Sequence, residues 1–263
     1  LSGLGLGAVM LMIVYWLGAE LYLIDPAKAD LSVVQAISIS AGSLLVGWIV
    51  YDFLCKSALG NNPTGLMILL FVVLTVMSWG YNQVFTGRAA MLHLGAFTAT
   101  IMSANVFLII MPNQRIVVKD LKEGRTPDPK YGKIAKLRST HNNYLTLPVL
   151  FLMLSNHYPL AFATEYTWII ASLVFLTGVT IRHYFNTLHA TGSGPSWTWM
   201  ATLVLFLIIA ALSTASSWNG DYDDLENQTL TKNEERLMLA ESFDDISDII
   251  ISRCSMCHAR EPV

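Results

Sequence analysis

Residues 66–85 read LMILLFVVLTVMSWGYNQVF, twenty consecutive residues without a Lys, Arg, Asp or Glu. About 20 apolar residues in a helix cross a bilayer core. The run is too long for a strand and does not alternate, so it reads as a buried or membrane-spanning helix. The turn-rich Gly60-Asn61-Asn62-Pro63 precedes it. Working outward, similar runs recur at about Leu1–Ile24, ended by Asp25-Pro26, and at about Leu31–Cys55. The next covers about Arg88–Met111, where Pro112 is expected to stop the helix because it has no N–H to give. Three more follow at about Thr140–His157, Thr167–His189 and Ser196–Trp218. Pro148 interrupts the first of these three and Pro159 ends it. The last is entered through Gly192-Ser193-Gly194-Pro195. The expected fold class is all-α: a polytopic transmembrane bundle of about seven helices.

Composition agrees. Of 263 residues, 54% are hydrophobic and 13% charged, with mean hydropathy +0.50, against about 25% charged in a soluble domain. The net charge of −3 means little as a total, because its distribution is uneven. No nucleic-acid partner is expected, and membrane lipids are.

Charge sets the orientation. Arg115, Lys119, Lys122, Arg125, Lys130, Lys133, Lys136 and Arg138 outnumber Asp120, Glu123 and Asp128 in the 115–138 stretch. The positive-inside rule places that loop in the cytoplasm of a bacterial inner membrane. Counting helices forward, the His157–Thr167 loop, which has no Lys or Arg, falls outside, and the last helix delivers the tail to the outer, periplasmic face.

The tail changes character. Residues 1–218 form the transmembrane domain, 219–230 an acidic linker, and 231–263 the beginning of a second domain. Thr231-Lys232-Asn233-Glu234 fits a capping box. Leu237, Ala240, Phe243, Ile246 and Ile250 then mark one face of an amphipathic helix. It leads to Cys254-Ser255-Met256-Cys257-His258, the attachment pattern of a c-type haem. The two thiols add to the porphyrin vinyl groups, and His258 is the proximal iron ligand. A C-x-x-C disulfide or half a zinc site is the alternative. The only other cysteine is Cys55, so no second ligand pair exists, and the adjacent histidine favours haem.

Polar groups at bilayer depth are costly and mark candidate sites. His93 and His157 lie toward the outer face, level enough for haem b ligation between helices or for substrate contact. His141, Arg182 and His183 lie toward the inner face, where the His141–His183 pair is likewise level enough for haem b ligation. An interhelical hydrogen bond, or interfacial placement for His157 and His189, competes with each such role. Asn142, Asn143, Asn105, Asn113 and Gln114 add amides near Arg115 and Arg182. Arginine forks beside amides suit a planar, hydrogen-bonding anion. For acid–base work His141 and His183 are the natural candidates, with Arg182 and Asn142 beside them. Asp52 pairs with Lys56 one turn on, and Glu20 has no obvious partner.

The string Arg138-Ser139-Thr140-His141-Asn142-Asn143-Tyr144-Leu145-Thr146-Leu147-Pro148 through Ser155-Asn156-His157-Tyr158-Pro159 resembles the bacterial membrane-bound urate hydroxylases (PuuD type). So do Phe85-Thr86-Gly87-Arg88-Ala89-Ala90, Pro112-Asn113-Gln114-Arg115, Ile181-Arg182-His183-Tyr184-Phe185-Asn186 and the closing haem motif. The resemblance covers essentially the whole chain. It implies a membrane oxidoreductase that hydroxylates urate to 5-hydroxyisourate with oxygen from water. Electrons would pass through haem c to a cytochrome or terminal oxidase of the respiratory chain. The family pattern also implies a further N-terminal helical region and a longer cytochrome domain, so truncation at both ends is expected. The alternative reading is a non-enzymatic or electron-relay subunit of a larger respiratory assembly, of the b/c quinol-to-cytochrome type.

Overall fold

The structure is a computed structural model that describes residues 2–162, 164 and 166–215. The linker at 219–230, the tail domain at 231–263 and its haem motif lie outside the described residues. Among the described residues all extended regular structure is helical, and the one β feature is an isolated bridge between Ile24 and Phe85.

The helices are α1 (Ser2–Leu11), α2 (Ala19–Tyr22), α3 (Val33–Lys56), α4 (Pro63–Val84), α5 (Gly87–Ala104), α6 (Met111–Lys122), α7 (Pro129–Leu154), α8 (Thr167–Thr191) and α9 (Trp197–Ser213). Four helical stretches are long and apolar enough to cross a membrane: 33–56, 63–84, 87–122 and 167–191. Gly5–Leu17 and Trp197–Ser213 are shorter apolar helices. Exposed Val34, Leu45, Ile49 and Phe53 on α3, and Leu203, Phe206 and Leu207 on α9, present large apolar side chains outward. Large apolar side chains exposed in such number suit lipid better than water.

Two sequence-based boundaries need correction. Pro112 does not stop its helix. A π turn at Asn105–Ile110 joins α5 to α6, with Pro112 in the first turn of α6. The wider turn accommodates a residue that cannot donate, and Asn113 Nδ2 bonds the Ile109 carbonyl at 2.7 Å. The joined helix of 36 residues is about 54 Å long at 1.5 Å per residue. That exceeds the thickness of an apolar bilayer core, about 30 Å. The second correction is α7, which begins at Pro129 rather than Thr140 and ends at Leu154. Much of the basic 115–138 stretch is therefore helix. Asp128 caps its second half, accepting from the Lys130 amide at 2.8 Å.

The sequence explains the other ends. Ser32 and Gln35 form a capping box at the start of α3. Ser32→Ala should cost about 1 kcal/mol of stability, read from unfolding of the purified protein. At the α4–α5 junction, the Thr86 hydroxyl donates to the Tyr22 carbonyl at 2.8 Å and Lys28 Nζ to the Phe85 carbonyl at 3.1 Å. These tie the α2 end to the bundle.

Helix α5 sits at the centre, packed against α3, α4 and α7, with ten of its residues buried from Ala89 to Ile101. Small residues let its neighbours approach: a Cβ on Gly95 would stand 3.0 Å from Leu152 Cβ. Helices α7 and α8 meet as closely, where Gly178 faces the ring of Pro148.

Candidate functional site

The polar string of α7 faces two ways. Residues two apart on a helix point about 200° apart, so His141 and Asn143 face different neighbours.

On the side of α3 and α5 lies a buried polar network. Arg138, with a 3% exposed side chain, donates to Asp52 Oδ1 at 2.6 Å and to Asn105 Oδ1 at 3.3 Å. Its guanidinium also stands over the Tyr51 ring, 5.0 Å from the centroid. Asp52 holds Lys56 at 2.6 Å through its other oxygen, so the local pair read from the sequence exists alongside a longer-range partner. Asn105 Nδ2 donates to the Tyr51 hydroxyl and to Asn142 Oδ1, each at 3.0 Å. Asn142 Nδ2 donates to the Met102 carbonyl at 2.9 Å. The Tyr51 hydroxyl lies 2.8 Å from His141 Nδ1. His141 is fully buried, and its Nε2 has no hydrogen-bond partner. Among the described residues only Thr75 Oγ1 shares that condition. A buried unsatisfied imidazole nitrogen costs about 1–3 kcal/mol, which makes it the strongest structural sign of a site in this part of the chain.

On the α8 side, Arg182 Nε donates to the Asn143 carbonyl at 3.2 Å and Asn186 Nδ2 to Asn143 Oδ1 at 2.8 Å. Tyr144 and His183 pair at 3.1 Å, and the His183 ring lies 6.1 Å from that of Trp197. An open groove of about 750 Å³ adjoins this cluster, lined in part by Gln114, Tyr131, Lys136, Ser139, Asn143 and Asn186. The candidates read from the sequence thus separate: His141 and Asn142 belong to the first cluster, Arg182 and His183 to the second.

His93 forms a third centre. Its Nδ1 lies 2.8 Å from the Ala89 carbonyl, which can only accept, so Nδ1 carries the proton. Its Nε2 then accepts from Ser40 Oγ at 2.8 Å, and Ser40 accepts from Trp16 Nε1 at 2.9 Å. The rings of Tyr15, Tyr81 and Phe85 pack around it at 4.9–5.9 Å. His157, the other half of the outer pair considered for haem b, is exposed. Both ring nitrogens of His93 are thus engaged, Nδ1 by the Ala89 carbonyl and Nε2 by the Ser40 hydroxyl. Cys254, Cys257 and His258 lie outside the described residues. Among the described residues no group of three or more His, Cys, Asp or Glu side chains could hold a metal ion.

Sequence reasoning missed the Asp52–Arg138 pair and the Tyr51 contact. The available signal was Asp52 itself, a carboxylate inside an otherwise apolar helix.

The fold and its interior define a class: an all-helical protein with apolar, membrane-length helices around a buried polar network. The urate oxidase N-terminal family matches residues 3–213, and the chain belongs to that urate-oxidase-related family. No curated protein and no solved structure matches it.

Proposed function

We propose that this protein is a membrane-bound urate oxidoreductase. The observation that carries the reading is the coincidence of the family match over residues 3–213 with the buried network on α7, where one imidazole nitrogen lacks a partner. In the proposed reaction urate loses two electrons and two protons as water adds, giving 5-hydroxyisourate. His141 and Asn142 stand at the candidate reaction site. Arg182 and His183 form the second candidate cluster, beside the polar groove.

Cys254, Cys257 and His258 have the donor chemistry for a covalent c-type haem, two thiols and an imidazole. When bound, that group would take up electrons and pass them to a respiratory cytochrome or terminal oxidase. The basic α6–α7 end is proposed to face the cytoplasm and the haem-bearing tail the periplasm of a bacterial inner membrane.

The test is anaerobic addition of urate to the purified full-length protein while its c-type haem spectrum is recorded. Urate-dependent reduction is expected, and its absence overturns the reading. A Cys254→Ser, Cys257→Ser double variant should lose covalent haem and urate-dependent electron transfer to an added acceptor, yet still be recovered from the membrane fraction. Undiminished transfer by that variant would remove the tail from the electron path.

A further inference from the structure

The hydrogen bonds around His141 run in one direction. Arg138 is donor-only, so its contact with Asn105 fixes the oxygen of that amide toward the guanidinium. The Asn105 nitrogen must then face Tyr51 and Asn142, as it does. Asn142 is fixed in the same way, because its nitrogen bonds the Met102 carbonyl. Asn105 therefore donates to the Tyr51 oxygen, and the hydroxyl proton of Tyr51 must go elsewhere. Its two other neighbours are His141 Nδ1 at 2.8 Å and the Cys55 thiol. An imidazole nitrogen is a strong acceptor and a thiol a weak one. The proton points at Nδ1. A neutral His141 then carries its own proton on Nε2, the atom without a partner.

We propose that Asp52, Arg138, Asn105 and Tyr51 are positioning residues that hold His141 as the Nε2–H tautomer. His141 then meets the substrate as a hydrogen-bond donor to an anionic or carbonyl oxygen, not as the base that removes its proton. The identity of that substrate as urate rests on the reading above; the tautomer does not.

The network is ill suited to carrying protons. A guanidinium stays protonated and an amide does not exchange its proton usefully at neutral pH, so neither Arg138 nor Asn105 can relay one from His141. A base at His141 would have no route outward through Arg138 or Asn105. A donor needs none, and it gains from a rigid, water-poor setting in which developing charge on oxygen is met without reorganisation.

The experiment uses full-length holoenzyme labelled with 15N at histidine, the His141 signals being assigned by their loss in His141→Gln. An unprotonated Nδ1 and a protonated Nε2 are expected in the wild type, and a protonated Nδ1 overturns the proposal. Tyr51→Phe should release the ring into a mixture of tautomers; an unchanged tautomer would remove Tyr51 from the positioning role. In turnover, His141→Leu should lower kcat about 100-fold or more, the usual cost of losing one preorganised donor, with a smaller change in KM. His141→Gln, whose amide N–H can replace Nε2–H, should recover much of that loss. Equal losses in both variants would indicate a base and overturn the proposal. If wild-type protein neither binds nor oxidises urate, the functional reading fails while the tautomer result still decides this one.

Discussion

Asp52→Ala is expected to destabilise the protein by about 3–5 kcal/mol, because removing one partner of a buried ion pair strands the other charge. The stranded group is Arg138, whose side chain is 3% exposed and whose carboxylate partner is Asp52 at 2.6 Å. Lys56 is mostly exposed and simply regains water. Unfolding of purified protein in detergent measures the loss, and unchanged stability would show that the pair does not hold Arg138. The double variant Asp52→Leu, Arg138→Met should recover most of the stability, since apolar groups of similar volume commonly replace a buried pair at little cost. It should not recover turnover, because Asn105 loses the donor that orients it. Stability and activity would then separate in one molecule.

The second large effect is expected at Gly178. A Cβ there would fall 2.5 Å from Pro148 Cδ and 2.6 Å from Cγ. The pyrrolidine ring cannot rotate aside, so Gly178→Ala must push α8 away from α7, an overpacking cost of about 1–3 kcal/mol. One turn on lies Arg182, then His183, whose contacts with Asn143 and Tyr144 at 3.2 and 3.1 Å depend on that spacing. Lower stability and reduced urate turnover should appear together. Adding Pro148→Ala, which removes the ring, should restore both; failure to do so would place the effect elsewhere.

The apolar runs were legible because their length and lack of alternation leave few alternatives to helices. The family was legible from the α7 string. Pro112 misled because its missing N–H is a local fact, whereas the π turn that absorbs it belongs to Asn105–Ile110, upstream of it. The start of α7 misled because charge was read as loop, although Pro129 at the first turn and the Asp128 cap are helix-start signals. The polar site was only half legible. His141, Asn142, Arg182 and His183 stood out by residue type, but their division between two sides of α7 depends on helix phase and on which neighbour packs where. Asp52 and Arg138 are 86 residues apart, and Asp52 has a plausible local partner in Lys56 that concealed the longer one.

Helix α7 is gripped from opposite directions: by Asp52, Asn105 and Tyr51 through Arg138, His141 and Asn142, and by Arg182, Asn186 and His183 through Asn143 and Tyr144. Turning it about its long axis would break both sets at once. The helix therefore behaves as a keyed shaft, with its torsional freedom removed. Rolling α7 is thus closed as a way of opening the bundle, because it would cost both sets of bonds together.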